Sequence, residues 1–264
     1  MIDATRGVVV GVYRKSRPGA PAGFFACEAA GLRWLDDAGG APVVEVLGVD
    51  DDHLDLVRLE PVAATREAAR AFGAALAATH AAGAPAFGAG PPGWAGDGFF
   101  GPLDSPQTMP AGHFARWGPF LAACRLAPLD CDLRQAGISM PGLAILGERL
   151  RGGALDDDEP PARLHGDLWS GNVVWTAGGA TLIDPAAHGG HRESDLAMLA
   201  LFGLPHLDDV FEAYDEIAPL RRGWRHRVAL HQVYPVGVHA LLFGGAYLHE
   251  LADVIDRAVQ EIAR

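Results

Sequence analysis

The sequence predicts an α+β fold of two lobes, a small β-rich lobe over residues 1–60 and a larger helical lobe over residues 61–264. Three observations predict it. The first sixty residues carry crowded β-branched runs, the segments after Pro61 have apolar side chains at helical spacing, and 264 residues with 49% hydrophobic content can bury a substantial core. Glycine and proline make up one residue in five without a repeat period, so many turns and no solenoid are expected.

Residues 8–12 crowd β-branched side chains and lead into Tyr13, Arg14 and Lys15, a strand ending on a basic residue. A Pro/Gly turn follows at 17–23. Over 24–35, Phe24, Cys27, Leu32 and Leu35 recur near helical spacing, with Glu28 inside that helix. Residues 43–49 and 54–59 read as short strands joined by Asp50, Asp51 and Asp52. Pro61 stops the second strand, and Thr65 caps an alanine-rich helix running to about His80. The stretch 85–110, with Trp94, Phe99 and Phe100 dispersed among glycines and prolines, reads as a packed irregular loop. Helical patterns resume at 113–127 and 142–150, and again at 207–217, 223–243 and 247–263.

The formal net charge of −12 gives a surface that repels phosphate backbones and anionic lipid, which speaks against nucleic acid as a partner. No apolar run reaches the roughly 18 residues of a membrane span, and the first residues lack the basic-then-apolar order of a signal peptide. A cytoplasmic protein without a membrane partner is expected. Cys27, Cys124 and Cys131 are too few and scattered for a disulfide framework and read as reduced, buried thiols. Eleven histidines invite a zinc reading, but neither HxxxH nor a Cys/His cluster has ligand spacing, so no structural metal is expected.

The chemistry concentrates between Leu164 and Asp184. Asp167 precedes Asn172 by five residues in a glycine-containing loop, and a strand, a turn at Gly178 and Gly179, and a second strand follow, ending at Asp184. Taken singly, Asp and Asn supply turn hydrogen bonds. Together, this layout suits phosphoryl transfer: one carboxylate takes the acceptor hydroxyl's proton, while an amide oxygen and a second carboxylate hold magnesium on the nucleotide phosphates. The spacing H-x-D-x-x-x-x-N is that of kinase catalytic loops. Upstream, Lys15 is the only lysine of the chain, and Glu28 lies thirteen residues later on the next helix. Such a pair orients an ammonium toward the α and β phosphates of ATP. Arg58, Leu59 and Glu60 mark the passage from strand-rich to helical sequence and form, by the order of elements alone, the hinge whose backbone meets adenine.

The stretch 164–203 resembles the fructosamine kinase (ketosamine 3-kinase) family, within the wider aminoglycoside-phosphotransferase-like and protein-kinase-like fold. The matching text is LHGDLWSGN, then IDPAAHGGHRESDLAMLALFG, then HALLFGGAY; a looser likeness covers nearly the whole chain. HGDxxxxN is shared by many small-molecule kinases, whereas Trp169-Ser170 and the run Gly190 to Glu193 are more specific. The resemblance implies Asp167 as catalytic base, Asn172 and Asp184 as ligands of Mg2+, and Lys15 with Glu28 as the phosphate-orienting pair. It implies ATP as phosphate donor and, as acceptor, a sugar hydroxyl of a ketosamine carried by a small molecule, a glycated amino acid or a protein. Phosphorylation at the third carbon of that sugar destabilises the adduct, a deglycation.

Trp169 is expected either to stack on a sugar-like substrate or to fill the core. His188, His191, Arg192 and Glu193 follow Asp184 and are expected either to contact the substrate or to brace the loop. Only fourteen residues precede Lys15, so the family's first strand and phosphate-covering loop are expected to be missing, or the start codon to lie upstream. Two other readings stand beside the ketosamine one: a kinase for another hydroxylated amine, such as an aminoglycoside or a choline-like compound, and a weakly active nucleotide-binding pseudokinase.

Overall fold

The computed structural model describes residues 11–154 and 156–262. The part of the first predicted strand before residue 11 lies outside them. Strands β1 (Val12–Ser16), β2 (Val46–Val49) and β3 (His53–Val57) form an antiparallel sheet in the order β1-β3-β2, with Lys15 opposite Leu54. Period-two alternation turns Leu54 and Leu56 inward, where they meet Phe24, Phe25, Ala29 and Leu32 of helix α1 (Phe24–Asp36). This sheet and helix make the smaller lobe.

The larger lobe opens with α2 (Arg66–Ala81), whose N-cap, Thr65, accepts a hydrogen bond from Ala68 N at 3.2 Å. Strands β4 (Gly98–Phe100) and β5 (Gln107–Met109) pair as a hairpin inside the stretch expected to be irregular. Their three-residue length leaves little periodicity to read. Helix α3 (Trp117–Leu121) runs through a π-helical turn, Ala122–Leu126, into α4 (Ala127–Gln135), and α5 (Pro141–Arg151) follows with proline in its first turn. Strand β6 (Ala162–Leu164) pairs with β9 (His188–Gly190), and between them β7 (Val173–Thr176) and β8 (Gly179–Leu182) form the predicted hairpin. Helices α6 (Glu193–Phe202), α7 (Leu207–Ile217), α8 (Trp224–Phe243) and α9 (Ala246–Ile262) complete the lobe.

Two large cores and a smaller cluster of Phe100, Met109, Ala186, Met198 and Val238 fill the helical lobe. One of the large cores gathers leucines of α3, α4 and α5 against α8 and α9; the second packs α2, α6 and α7 on the β7–β8 hairpin. Gly73 lets α2 lie against α7, since a Cβ there would sit 2.1 Å from Val210 O. The lobes are stitched by backbone: Val44 N donates to Leu182 O at 3.0 Å and Leu182 N to Pro42 O at 2.8 Å.

Four expectations are corrected. Regular pairing of the second strand begins at Val46, because Val43 is drawn away into a parallel bridge with Leu182. The helix expected from 113 starts at Trp117, since Phe114 pairs with Phe87, and it runs on to Gln135. Helix α6 was not foreseen: its Asp195, Leu196, Ala197, Met198 and Leu199 are all buried, so it shows no polar stripe. Cys131 is exposed rather than buried, while Cys124 is buried and Cys27 half-buried, all three as free thiols. Among the described residues, no helix is long and apolar enough to cross a membrane.

Candidate active site

The loop after β6 is held from behind by a buried carboxylate. Asp195 accepts His165 N at 2.8 Å on Oδ2 and Gly166 N at 2.9 Å on Oδ1, and His80 Nε2 lies 3.1 Å from Oδ2. Burial alone would raise its pKa, but the bond and charge of His80 and the charge of His165 prevail and hold the carboxyl below its usual range. His80 Nδ1 in turn meets the Tyr214 hydroxyl at 2.8 Å. Gly166 takes φ +82°, and a Cβ on it would stand 2.1 Å from Ala186 O, so only glycine fits. His165 bridges the two chemical loops: Nε2–H donates to Ile183 O at 2.9 Å and Nδ1 accepts Asp167 N at 3.3 Å.

With the loop fixed, its functional groups converge. Asn172 Nδ2 donates to Asp167 O at 2.8 Å and Asp167 Oδ2 at 3.1 Å, with Asp184 O at 3.4 Å. Burial pushes the Asp167 carboxyl up to about 7 against the opposing Asn172 bond. Asp184 ends the hairpin in the left-handed region at φ 53°, a strained backbone for a residue other than glycine. Lys15 Nζ reaches Glu28 at 2.8 Å and Asp184 Oδ1 at 3.1 Å. Burial works against the ammonium, but those two carboxylates outweigh it and raise the Lys15 pKa.

Lys15, Glu28, Asp167, Trp169, Asn172 and Asp184 thus line one cavity of about 400 Å³. Asn172 and Asp184 fit a hard cation, because the Asn172 N–H2 group is turned to Asp167 and Asp184, leaving the amide oxygen as acceptor, and the Asp184 carboxylate is 41% exposed. Trp169 is a rim residue: it is 38% exposed and meets Phe202 edge-on at 5.8 Å. Sequence reasoning missed the rest of that rim. Rings run from Phe202 to His239 at 5.1 Å and from His239 to Phe243 at 5.7 Å, and His239 and Phe243 line the cavity. Aromatic residues four apart at 239, 243 and 247 were the available signal.

The other expected residues lie elsewhere. His191 Nε2 is 3.1 Å from Asp157, Arg192 holds Glu159 with bonds of 2.6 and 3.1 Å, and Glu193 is clasped by Arg227. Their side chains do not line the cavity that holds Asp167. Arg58 and Glu60 are exposed, Leu59 packs on the small-lobe core, and none of the three lines that cavity.

His191, Glu193 and His231 do come within 4.8 Å of one another, a trio that sequence spacing did not reveal. It is a poor metal site. His191 Nδ1 already accepts Glu193 N and its Nε2 faces Asp157, while both Glu193 oxygens take bonds from the Arg227 guanidinium.

Residues 10–261 match the model of the fructosamine kinase family. The chain belongs to this family. A solved structure from Thermobifida fusca, described as a "putative fructosamine-3-kinase", is 46% identical, with a TM-score of 0.86 over 95% of this chain and 86% of that one. A relative from Enterococcus faecium named "Probable ketoamine kinase" is 29% identical, over 92% of this chain and 86% of its own length. One of the same designation from Vibrio vulnificus is 32% identical over 56% of this chain, and the match spans about half of that relative, 51% of its length. The family and the architecture agree on a two-lobed, kinase-like α+β fold.

Proposed function

We propose that this protein is an ATP-dependent kinase that phosphorylates a sugar hydroxyl of ketosamines, the adducts of amines with sugars. The observation that carries the phosphotransferase reading is the convergence of Lys15, Glu28, Asp167, Asn172 and Asp184 on one cavity. The relatives named as ketoamine kinases support the choice of acceptor.

In this reading Glu28 orients the Lys15 ammonium toward the α and β phosphates of ATP. Asp167 accepts the proton of the acceptor hydroxyl as that oxygen bonds to the γ-phosphorus and the bond to the bridging oxygen of ADP breaks. Asn172 and Asp184 would hold Mg2+, which supplies charge neutralisation at the phosphates. Asn172 also fixes the Asp167 carboxylate through the 3.1 Å bond. The rim of Trp169, Phe202, His239 and Phe243 offers apolar ring faces to the open-chain sugar and π-electron density to the amine.

A coupled ADP-release assay with fructosyl-lysine, ribulosyl-lysine, kanamycin and choline tests it. Turnover is expected with the two ketosamines and little with the others. Asp167→Asn is expected to lower kcat by about 10² to 10⁴-fold while the protein stays folded. A preference for kanamycin or choline refutes the ketosamine acceptor, and near-normal turnover by Asp167→Asn refutes the base.

A further inference from the structure

Apart from the site just described, a second cavity of about 50 Å³ lies among β5, the π-helical turn and α8, and Arg125 forms part of its wall. Arg125 is only 3% exposed, within a leucine-rich core. Its guanidinium lies 4.7 Å from the Phe120 ring and 5.5 Å from that of Tyr234. Nη1 donates to Pro110 O at 2.7 Å and to Cys124 O at 2.9 Å. The Nε–H and the Nη2–H2 group find no acceptor among the described residues, and no carboxylate there lies within ion-pair distance of this cation, Asp97 acting on it only through its more distant charge.

A buried guanidinium with no anion in contact is an unusual state, because desolvated charges are ordinarily paired. The turn that carries it is also unusual, since a π-helical turn re-aims a side chain and recurs at functional sites. Asp195, the one carboxylate on the cavity wall, is already occupied by His165 N, Gly166 N and His80. The volume exceeds the roughly 10–15 Å³ that one water needs and is far below the roughly 300 Å³ of a small-molecule site. A nucleotide or sugar is therefore excluded by size, while a chloride-sized ion fits.

We propose that Arg125 anchors a binding site for a small monovalent anion, chloride in the simplest case, in the cavity behind the catalytic loop. The free Nε and Nη2 donors face that ion, with the Phe120 and Tyr234 rings fixing the guanidinium plane. The site stands independently of the acceptor assignment.

Thermal melting of the full chain in sodium chloride, against sodium gluconate at equal ionic strength, tests the proposal. Gluconate is too large for the cavity. Chloride is expected to raise the melting temperature by about 3 °C more than gluconate once the site is saturated. Arg125→Met, which keeps side-chain volume without charge, is expected to melt equally in both salts. Should that variant not fold, bromide-soaked crystals of the unaltered protein decide, with an anomalous peak expected within hydrogen-bonding reach of Arg125 Nε and Nη2. No chloride-specific shift, a shift retained in Arg125→Met, or bromide found only elsewhere overturns the site.

Discussion

Lys15 Nζ stands 3.1 Å from Asp184 Oδ1, so the strand-borne cation of the small lobe is in direct contact with the hairpin-end carboxylate of the large one. This ion pair joins the lobes in addition to the backbone bonds between Pro42, Val44 and Leu182. Any phosphate group entering must share Lys15 with Asp184.

Lys15→Met is therefore expected to lower kcat/KM for ATP by on the order of 10²-fold, the cost of removing one positioned donor from a developing anion. Steady-state kinetics with varied ATP check this. Because Glu28 would lose its partner while buried, some loss of stability is expected alongside.

Two tryptophans near the same loop should respond differently. Trp175 lies in the core beside Phe72, with ring centroids 6.1 Å apart, so Trp175→Ala is expected to cost about 3–5 kcal/mol of stability. Trp169→Ala should melt nearly as the unaltered protein does but raise KM for the acceptor. Denaturation curves and acceptor kinetics on both variants separate the roles.

Two buried histidines should weaken the fold on mild acidification. Burial holds His188 and His231 neutral, with pKa values pushed down to about 4. Unfolded, each returns to about 6.5. Between those values the unfolded chain binds up to two more protons than the folded one, so stability decreases as pH drops, by at most about 2.7 kcal/mol per pH unit from these two groups. The Asp167 and Glu28 carboxyls, both raised by burial, work the other way over the same range, so the histidine contribution is read by difference: urea midpoints at pH 7 and pH 5 are compared for the unaltered protein and His231→Gln, with a smaller acid destabilisation expected in the variant, and an equal pH dependence would contradict the buried neutral ring.

Gly166→Ala should be disabling without touching any charged group. The left-handed backbone and the 2.1 Å approach to Ala186 O add strain of about 1–3 kcal/mol, and relief must come from moving the Asp167 loop. A loss of turnover larger than the loss of stability is the expected pattern, read from kcat and melting of the same preparation.

The chemical loop was legible in sequence because Asp167, Asn172 and Asp184 lie close together in the chain and a hairpin of alternating residues fixes their separation. Lys15 and Glu28 were legible for a similar reason, one short turn joining their strand and helix. The aromatic rim was not, because Trp169, Phe202, His239 and Phe243 come from separate elements that only packing brings together. Asp195 and His80 were hidden in helices whose apolar neighbours signal core, and their task is visible only once the buried bonds to His165 and Gly166 are seen. His191, Arg192 and Glu193 show the opposite limit. Their nearness to Asp184 in sequence suggested the pocket, whereas Asp157, Glu159 and Arg227 claim their side chains.

The mouth of the pocket and its engine draw on opposite ends of helix α6. Phe202, His239 and Phe243 stand at or near helix ends, while Asp167 is braced from the far side through Asp195. Remodelling of the mouth at the far end of α6 and on α8, by natural drift or by directed evolution, leaves in place the buried bonds of Asp195 that brace the Asp167 loop. Libraries confined to positions 202, 239 and 243 are the natural place to search for enzymes that accept new alcohols.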